Sequence, residues 1–319
     1  MAEAVVADRS LSAAIGATVP VGLHVGYHKC ASTTLQKNLF ANHPQLQPLR
    51  KTAGFEDADR AIEIVTDKLS DGADLAGEGI PSAAMLLWQR AERKARAAGR
   101  LPVFSWENLT RDFYFKTPYD DRLPKALKAL VGEARIFIVI RHQIRLLESL
   151  YLSRIKPPSY LTPEKWFEAE GRRTATAYCY ADVISAYQSV FGVENVLVLP
   201  FEEIAANPER FAHKLCQHMG VDPRPAVKLL TQPAKNSRPS ATVHLYSRFR
   251  RNVLPGVSFS RVLPAAWRSQ AYRLLSKGKS SEVVFAPDLV AALENVYRPQ
   301  NRRLMESLGL DLQRFGYPL

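Results

Sequence analysis

The sequence predicts an α/β fold with a central parallel sheet of about five strands, flanked by helices and followed by helical C-terminal additions. Two observations lead to this prediction. Short apolar runs alternate along the chain with segments of helical periodicity, as in βαβ units. The clearest run, 135–140, is β-branched or aromatic at every position after its first residue, as expected of a central strand covered on both faces.

Individual elements can be assigned from the same patterns. Four strands are predicted, at residues 19–25, 101–105, 135–140 and 195–199. Helices are predicted at 35–40, at about 82–98 and at 146–151. Because ligands of parallel sheets bind beyond the carboxyl ends of the strands, the residues that follow each strand are the first candidates for function.

Length and charge limit the classes of protein and partner. The chain has 319 residues, of which 46% are apolar, and a formal net charge of +12. We predict a flexible N-terminal segment, residues 1–18, and a single domain over 19–319. The positive charge suits an anionic partner, such as a nucleotide, a sulfated or phosphorylated glycan, nucleic acid or an acidic membrane surface, and does not choose among them.

The three cysteines and the N-terminus bear on the compartment. The cysteines are widely spaced and form no CxxC pair, which argues against a disulfide framework and a zinc site. The first 20 residues make a poor signal peptide, and no stretch reaches the roughly 18 apolar residues that span a membrane. We therefore expect a cytoplasmic protein with no membrane span and no bound metal.

The turn after the first strand has the chemistry of a phosphate cradle. Lys29 is followed by Cys30, and then by a small residue and three hydroxyls at the predicted start of a helix: Ala31, Ser32, Thr33 and Thr34. A helix start offers unpaired N–H groups and the positive end of the helix dipole, and Lys29 adds a point charge. The turn lacks the Gly-Lys-Ser/Thr ending of a Walker A loop. The alternative is a capped helix without a ligand.

This turn resembles the 5′-phosphosulfate loop of sulfotransferases, usually Lys-x-Gly-Thr-Thr. These enzymes move a sulfuryl group from 3′-phosphoadenosine 5′-phosphosulfate (PAPS) to a hydroxyl or amine, leaving PAP. Lys29 matches the loop lysine, Ser32 and Thr33 match the threonines, and Ala31 replaces the glycine. Alanine is a departure because its backbone is less free. The resemblance implies a P-loop-like sheet, with PAPS across the strand ends.

A second match lies after the third strand. Arg141 ends that strand, and Ser149 follows eight residues later on the predicted helix. In sulfotransferases, residues in these two positions hold the 3′-phosphate of PAPS, and the planar guanidinium suits a phosphate. Three residues lie where the family has a third cofactor element: Asn236, Ser237 and Arg238. A solvated basic loop is the alternative for these three.

The general base has two candidates. An acceptor hydroxyl must lose a proton as it attacks, while cations such as Lys29 neutralise the leaving phosphate without a metal ion. Glu107 ends the second strand, where bacterial sulfotransferases often carry a glutamate, although a glutamate there also suits a helix cap. Glu56 is the competitor by resemblance to glycan and tyrosyl-protein sulfotransferases, but their motif aligns more closely with Arg50 and Lys51.

Other functions stay open at this stage. A nucleotide-dependent kinase shares the P-loop-like sheet, but it lacks support from a Walker A ending or a strand-end aspartate for magnesium. A basic nucleic-acid-binding protein fits the charge, but no helix-turn-helix, RNP or zinc pattern is present, so we expect no nucleic acid. A non-catalytic nucleotide-binding scaffold is the third alternative. The expected acceptor is a glycan, a glycolipid precursor or a small molecule, with a lean towards an anionic one.

Overall fold

The structure of the protein, a computed structural model, describes residues 20–110, 121–154, 162–231 and 284–319. Their contacts form two compact units. The first takes in the described residues of 1–143, 176–232 and 296–319, and the second takes in those of 144–175 and 233–295. The single domain expected over 19–319 stays a prediction.

A five-stranded parallel sheet forms the centre of the first unit. Its strands are β1 (Val21–Val25), β2 (Leu46–Pro48), β3 (Leu101–Trp106), β4 (Ala134–Ile140) and β5 (Val196–Pro200). They lie in the order β2-β3-β1-β4-β5, with every pairing parallel. This confirms the predicted fold class. The sequence analysis did not assign β2, a three-residue strand at the edge of the sheet that ends in proline.

Helices surround this sheet along the chain. Before β4 they are α1 (Ser32–Thr34, continued as a π-helical turn, Leu35–Phe40), α2 (Glu56–Ser70), α3 (Leu75–Glu78), α4 (Ser82–Ala97) and α5 (Arg122–Val131). After β4 they are α6 (Gln143–Arg154), α7 (Pro163–Trp166), α8 (Arg172–Thr176), α9 (Tyr180–Phe191), α10 (Phe201–Ala206), α11 (Pro208–Met219), α12 (Pro223–Leu230) and α13 (Pro287–Leu308). None of the helices in the described ranges is long and apolar enough to cross a membrane.

The middle of the sheet is the core of the first unit. All five residues of β1 are buried, and so are six of the seven in β4. Such strands must be apolar on both faces, because helices cover both sides of a parallel sheet. The second unit has an aromatic centre of its own, in which Trp166 stacks on Phe285 and meets Tyr151 edge-on.

The C-terminal residues of the first unit are tied to the turn after β4. Gln143 Nε2 donates to Asn301 Oδ1 at 2.6 Å, and Asn301 Nδ2 donates to the Pro318 carbonyl at 2.9 Å. Gln143 and Asn301 are completely buried. Glu202 accepts from the His142 N–H at 3.0 Å and from the Tyr317 hydroxyl at 2.9 Å. The turn that carries Arg141 is therefore braced by residues from α10 and from the end of the chain.

We expect Asn301→Ala to lower the free energy of unfolding by about 2 kcal/mol, because the buried Gln143 amide loses its partner. Chemical denaturation measures the change. Gln313→Ala, which removes an exposed amide from the same end of the chain, is the matched control and should change stability little. Equal stability of the two variants would contradict the bracing role of Asn301.

Candidate active site

Three segments that are far apart in sequence meet at one edge of the sheet. Because β1 lies between β3 and β4, the residues that follow these strands are neighbours. The Gly26 N–H donates to the Trp106 carbonyl at 3.3 Å. On the other side, Arg141 Nη1 donates to the Lys29 carbonyl at 2.9 Å. The edge thus joins the turn after β1 to the ends of β3 and β4, as the sequence analysis predicted.

The turn after β1 holds two non-glycine residues in the left-handed region. Lys29 has φ 67° and Ala31 has φ 61°. Each such residue costs about 1–3 kcal/mol, so it persists only where its surroundings hold it. Ala31 immediately precedes α1 and caps it without a side-chain hydrogen bond. Its conformation is the one that glycine adopts most easily, which explains why glycine is common in the matching position of the loop that this turn resembles.

The side chains of this turn point in different directions. Lys29 is exposed, and Thr33 and Thr34 are partly exposed. Ser32 is buried, and its Oγ donates to the Tyr27 carbonyl at 3.3 Å. Cys30 is completely buried, its N–H donates to the Tyr27 carbonyl, and burial raises the pKa of its thiol far above the usual value. The exposed Lys29 ammonium and the two threonine hydroxyls are therefore the groups that a phosphate would meet.

Gly26 is the point on which the site converges. A Cβ atom built on Gly26 would lie 3.2 Å from His24 Cε1, 3.3 Å from Ser32 Oγ and 3.4 Å from Glu107 Cγ. Thr110 Oγ1 lies 2.9 Å from the Gly26 carbonyl and 3.0 Å from the Glu107 carbonyl, and it donates to this pair. Glu107 is thus fixed beside the start of the turn, and its partly exposed side chain borders the same space as Ser32.

Arg141 is held on several sides. It is 8% exposed, and its guanidinium lies 4.6 Å from the centre of the Phe201 ring. The Tyr180 hydroxyl donates to the Arg141 carbonyl at 2.7 Å. A cationic guanidinium of fixed position at a strand end suits a bound phosphate.

Comparison with known proteins identifies the family. The model of the sulfotransferase family matches residues 24–225, which is more than half of the chain. The chain belongs to the sulfotransferase family. The chemistry of this site is therefore sulfuryl transfer.

Solved sulfotransferases resemble this one in fold. One from Alicyclobacillus acidocaldarius has a TM-score of 0.54 and 16% identity, and the match covers 93% of this chain and 98% of that one. The sulfotransferase domain of the Synechococcus PCC 7002 olefin synthase has a TM-score of 0.47 and 15% identity, with 92% and 95% covered. No curated protein matches the sequence significantly.

The two candidate bases of the sulfotransferase differ in their surroundings. Glu56 is exposed in the first turn of α2, where its Oε1 accepts from the Gly54 N–H at 2.9 Å. This hydrogen bond lowers the pKa of Glu56. Among the described residues, the hydrogen bonds of the Glu56 side chain do not reach the turn after β1. Glu107 borders that turn, so the geometry favours Glu107.

The other predicted cofactor residues stay predictions. Ser149 is partly exposed and lies about two turns into α6, in the second unit. Asn236, Ser237 and Arg238 lie outside the described residues.

Sequence reasoning missed a buried polar group beneath the turn. His24 is completely buried, its Nδ1 lies 2.7 Å from Ser105 Oγ, and its ring stacks on Phe137. Gln36 Nε2 donates to the same Ser105 Oγ at 2.9 Å. Burial lowers the pKa of His24 to about 3, so the imidazole is neutral. A histidine inside an otherwise apolar strand was the signal available in the sequence.

His24 should make stability depend on pH. Its unfolded pKa is near 6.5 and its folded pKa is about 3, so the unfolded chain binds the proton first. The stability it contributes is complete above pH 6.5 and is lost as pH falls towards 3. We expect the free energy of unfolding to fall by about 2 kcal/mol between pH 7 and pH 5 through this group.

Denaturation of His24→Phe at both pH values measures this contribution. The variant keeps an aromatic ring against Phe137 and should lose that part of the pH dependence. Ser105→Ala, which keeps the buried imidazole, is the control, and it should retain the pH dependence while losing stability at pH 7. Equal pH dependence in His24→Phe and the wild type would rule out His24 as the source.

Proposed function

We propose that this sulfotransferase uses PAPS as donor and an acceptor hydroxyl as nucleophile, with Glu107 as general base. The observation that carries the proposal is the convergence of three segments around Gly26, where a side chain would collide with Ser32 and Glu107. The absence of a side chain leaves room for a ligand group between the turn and a carboxylate. Cations flank this space, since Lys29 belongs to the turn and Arg141 bonds its backbone.

The residues of the turn fit a phosphosulfate group. Lys29, Thr33 and Thr34 present an ammonium and two hydroxyls next to the start of α1, where the helix dipole favours an anion. Arg141 would hold the 3′-phosphate, and Ser149 would share this role, as the family resemblance implies. This division gives each anionic end of the donor a cation of its own.

Each residue then has one task in the transfer. PAPS supplies the sulfuryl group: the bond from sulfur to the acceptor oxygen forms as the bond from sulfur to the bridging 5′ oxygen breaks. Glu107 accepts the proton of the acceptor hydroxyl. Lys29 stabilises the negative charge on the departing 5′-phosphate of PAP, and no metal ion takes part in this scheme. Holding both reactants in line supplies much of the remaining rate enhancement.

The acceptor is proposed to be a glycan, a glycolipid precursor or a small molecule that bears an anionic group. Arg50, which follows the edge strand β2, lies 4.9 Å from the centre of the Trp106 ring, and Trp106 directly precedes Glu107. Asp59 steadies the Arg50 side chain, with 3.6 Å between Asp59 Oδ1 and Arg50 Nε. A cation beside the base favours an acceptor with a carboxylate, sulfate or phosphate, in keeping with the net charge of +12.

Calorimetric titration with PAP, with ADP and with ATP–magnesium tests the donor. We expect PAP to bind more tightly than ADP, by at least about tenfold, because ADP lacks the 3′-phosphate that a charge-assisted hydrogen bond to Arg141 would hold. ATP–magnesium should bind no better than ADP. Preference for ATP–magnesium over PAP would remove PAPS as the donor.

Paired glutamine variants test the base. Glu107→Gln should lower kcat by about 100-fold or more while PAP affinity stays near that of the wild type, because the amide cannot take a proton. Glu56→Gln changes a carboxylate in the same way at an exposed helix start and should keep most of the rate. Single-turnover assays with PAPS and a sulfatable acceptor measure both. The reverse pattern would move the base to Glu56.

A further inference from the structure

Arg141 bonds the turn after β1 directly. Its Nη1 reaches the backbone carbonyl of Lys29 at 2.9 Å, across 112 positions of sequence. The acceptor belongs to Lys29 itself, and the same peptide group contains the Cys30 N–H. This hydrogen bond therefore fixes the orientation of the peptide plane that follows the Lys29 side chain.

The guanidinium is in a position to hold that plane because it is itself held. Its face packs on Phe201, and the Tyr180 hydroxyl bonds the Arg141 carbonyl. The next two residues of the turn are fixed as well, His142 through its N–H to Glu202 and Gln143 through Asn301. A buried side chain on a braced backbone has little freedom to lose when it forms a further hydrogen bond.

The turn needs such support. Lys29 and Ala31 both have positive φ, which is unfavourable for residues with a Cβ atom. Lys29 is exposed, so packing of its side chain does not hold it in this conformation. Without the bond from Arg141, the turn would relax towards conformations in which the Lys29 ammonium no longer faces the ligand.

We propose that Arg141 is a positioning residue for the Lys29 turn, in addition to holding a 3′-phosphate. The inference rests on the proposed function for the identity of the ligand, but the bond to Lys29 exists in the protein without any ligand. It has a specific consequence. A nucleotide that lacks a 3′-phosphate still depends on Arg141, because the turn that binds its 5′ groups depends on Arg141.

Binding of ADP to Arg141→Met tests this dependence. Methionine keeps an apolar stem against Phe201 and removes every donor. We expect ADP affinity to fall by about tenfold, as for loss of a hydrogen bond from a charged donor. Arg145→Met, which removes an exposed arginine four residues away, is the matched control and should keep the ADP affinity of the wild type. If Arg141→Met weakens PAP alone and leaves ADP binding unchanged, Arg141 acts only through the 3′-phosphate and the inference is wrong.

Hydrogen exchange of the ligand-free protein gives a readout that needs no donor. In Arg141→Met, peptides covering residues 27–34 should exchange about tenfold faster than in the wild type, whereas peptides from β5 should be unchanged. Should Arg141→Met fail to fold, Arg141→Lys carries the same test with a smaller increase. Wild-type exchange of the turn in a folded variant would overturn the inference.

The two proposals fail in different ways. If the wild type prefers ATP–magnesium to PAP, the donor is wrong, and the exchange experiment still decides whether Arg141 positions the turn. If PAP binds as expected but exchange and ADP affinity do not respond to Arg141→Met, the donor stands and the positioning role falls.

Discussion

Parallel pairing of β1 with both β3 and β4 is the constraint on which the site depends. In this register Val25 lies opposite Trp106, and His24 lies opposite Phe137. All three strands therefore end at the same edge, and the next residues of each meet there. An antiparallel neighbour would send Glu107 or Arg141 to the opposite edge. The chemistry of the site is thus a consequence of strand direction before it is a consequence of any side chain.

The site combines a strained turn with a rigid support. Two left-handed residues cost about 1–3 kcal/mol each, and the hydrogen bonds from Arg141, Ser32 and Thr110 offset this by about 1 kcal/mol or more each. These amounts are comparable, so no single hydrogen bond secures the turn. The support itself comes from Phe201, Tyr180 and the braced residues after Arg141. Fixed donors around a phosphate are what charge stabilisation in transfer chemistry requires.

Much of this could be predicted from the sequence, and the rest could not for identifiable reasons. The strands at β1, β3, β4 and β5 are continuous apolar runs, so their pattern is unambiguous. β2 has only three residues and a proline, which is tolerated at a sheet edge but gives no periodic signal. Lys29, Glu107 and Arg141 were predictable because each directly follows a strand. The hydrogen bond from Arg141 to the Lys29 carbonyl, the conformation of Ala31 and the pairing of His24 with Ser105 depend on register and backbone geometry. The surroundings of Glu56 depend on a connection whose path the sequence does not specify.

The tie between the C-terminal residues and the turn after β4 has a consequence for biosynthesis. Glu202 and Gln143 obtain their partners from Tyr317, Asn301 and Pro318, which are among the last residues to be translated. The sheet can pair once β5 has left the ribosome, but the turn that carries Arg141 lacks this bracing until residues 301–318 have also emerged. Contacts of such long sequence separation form late. The nascent chain therefore acquires its fold first and a rigid Arg141 only afterwards.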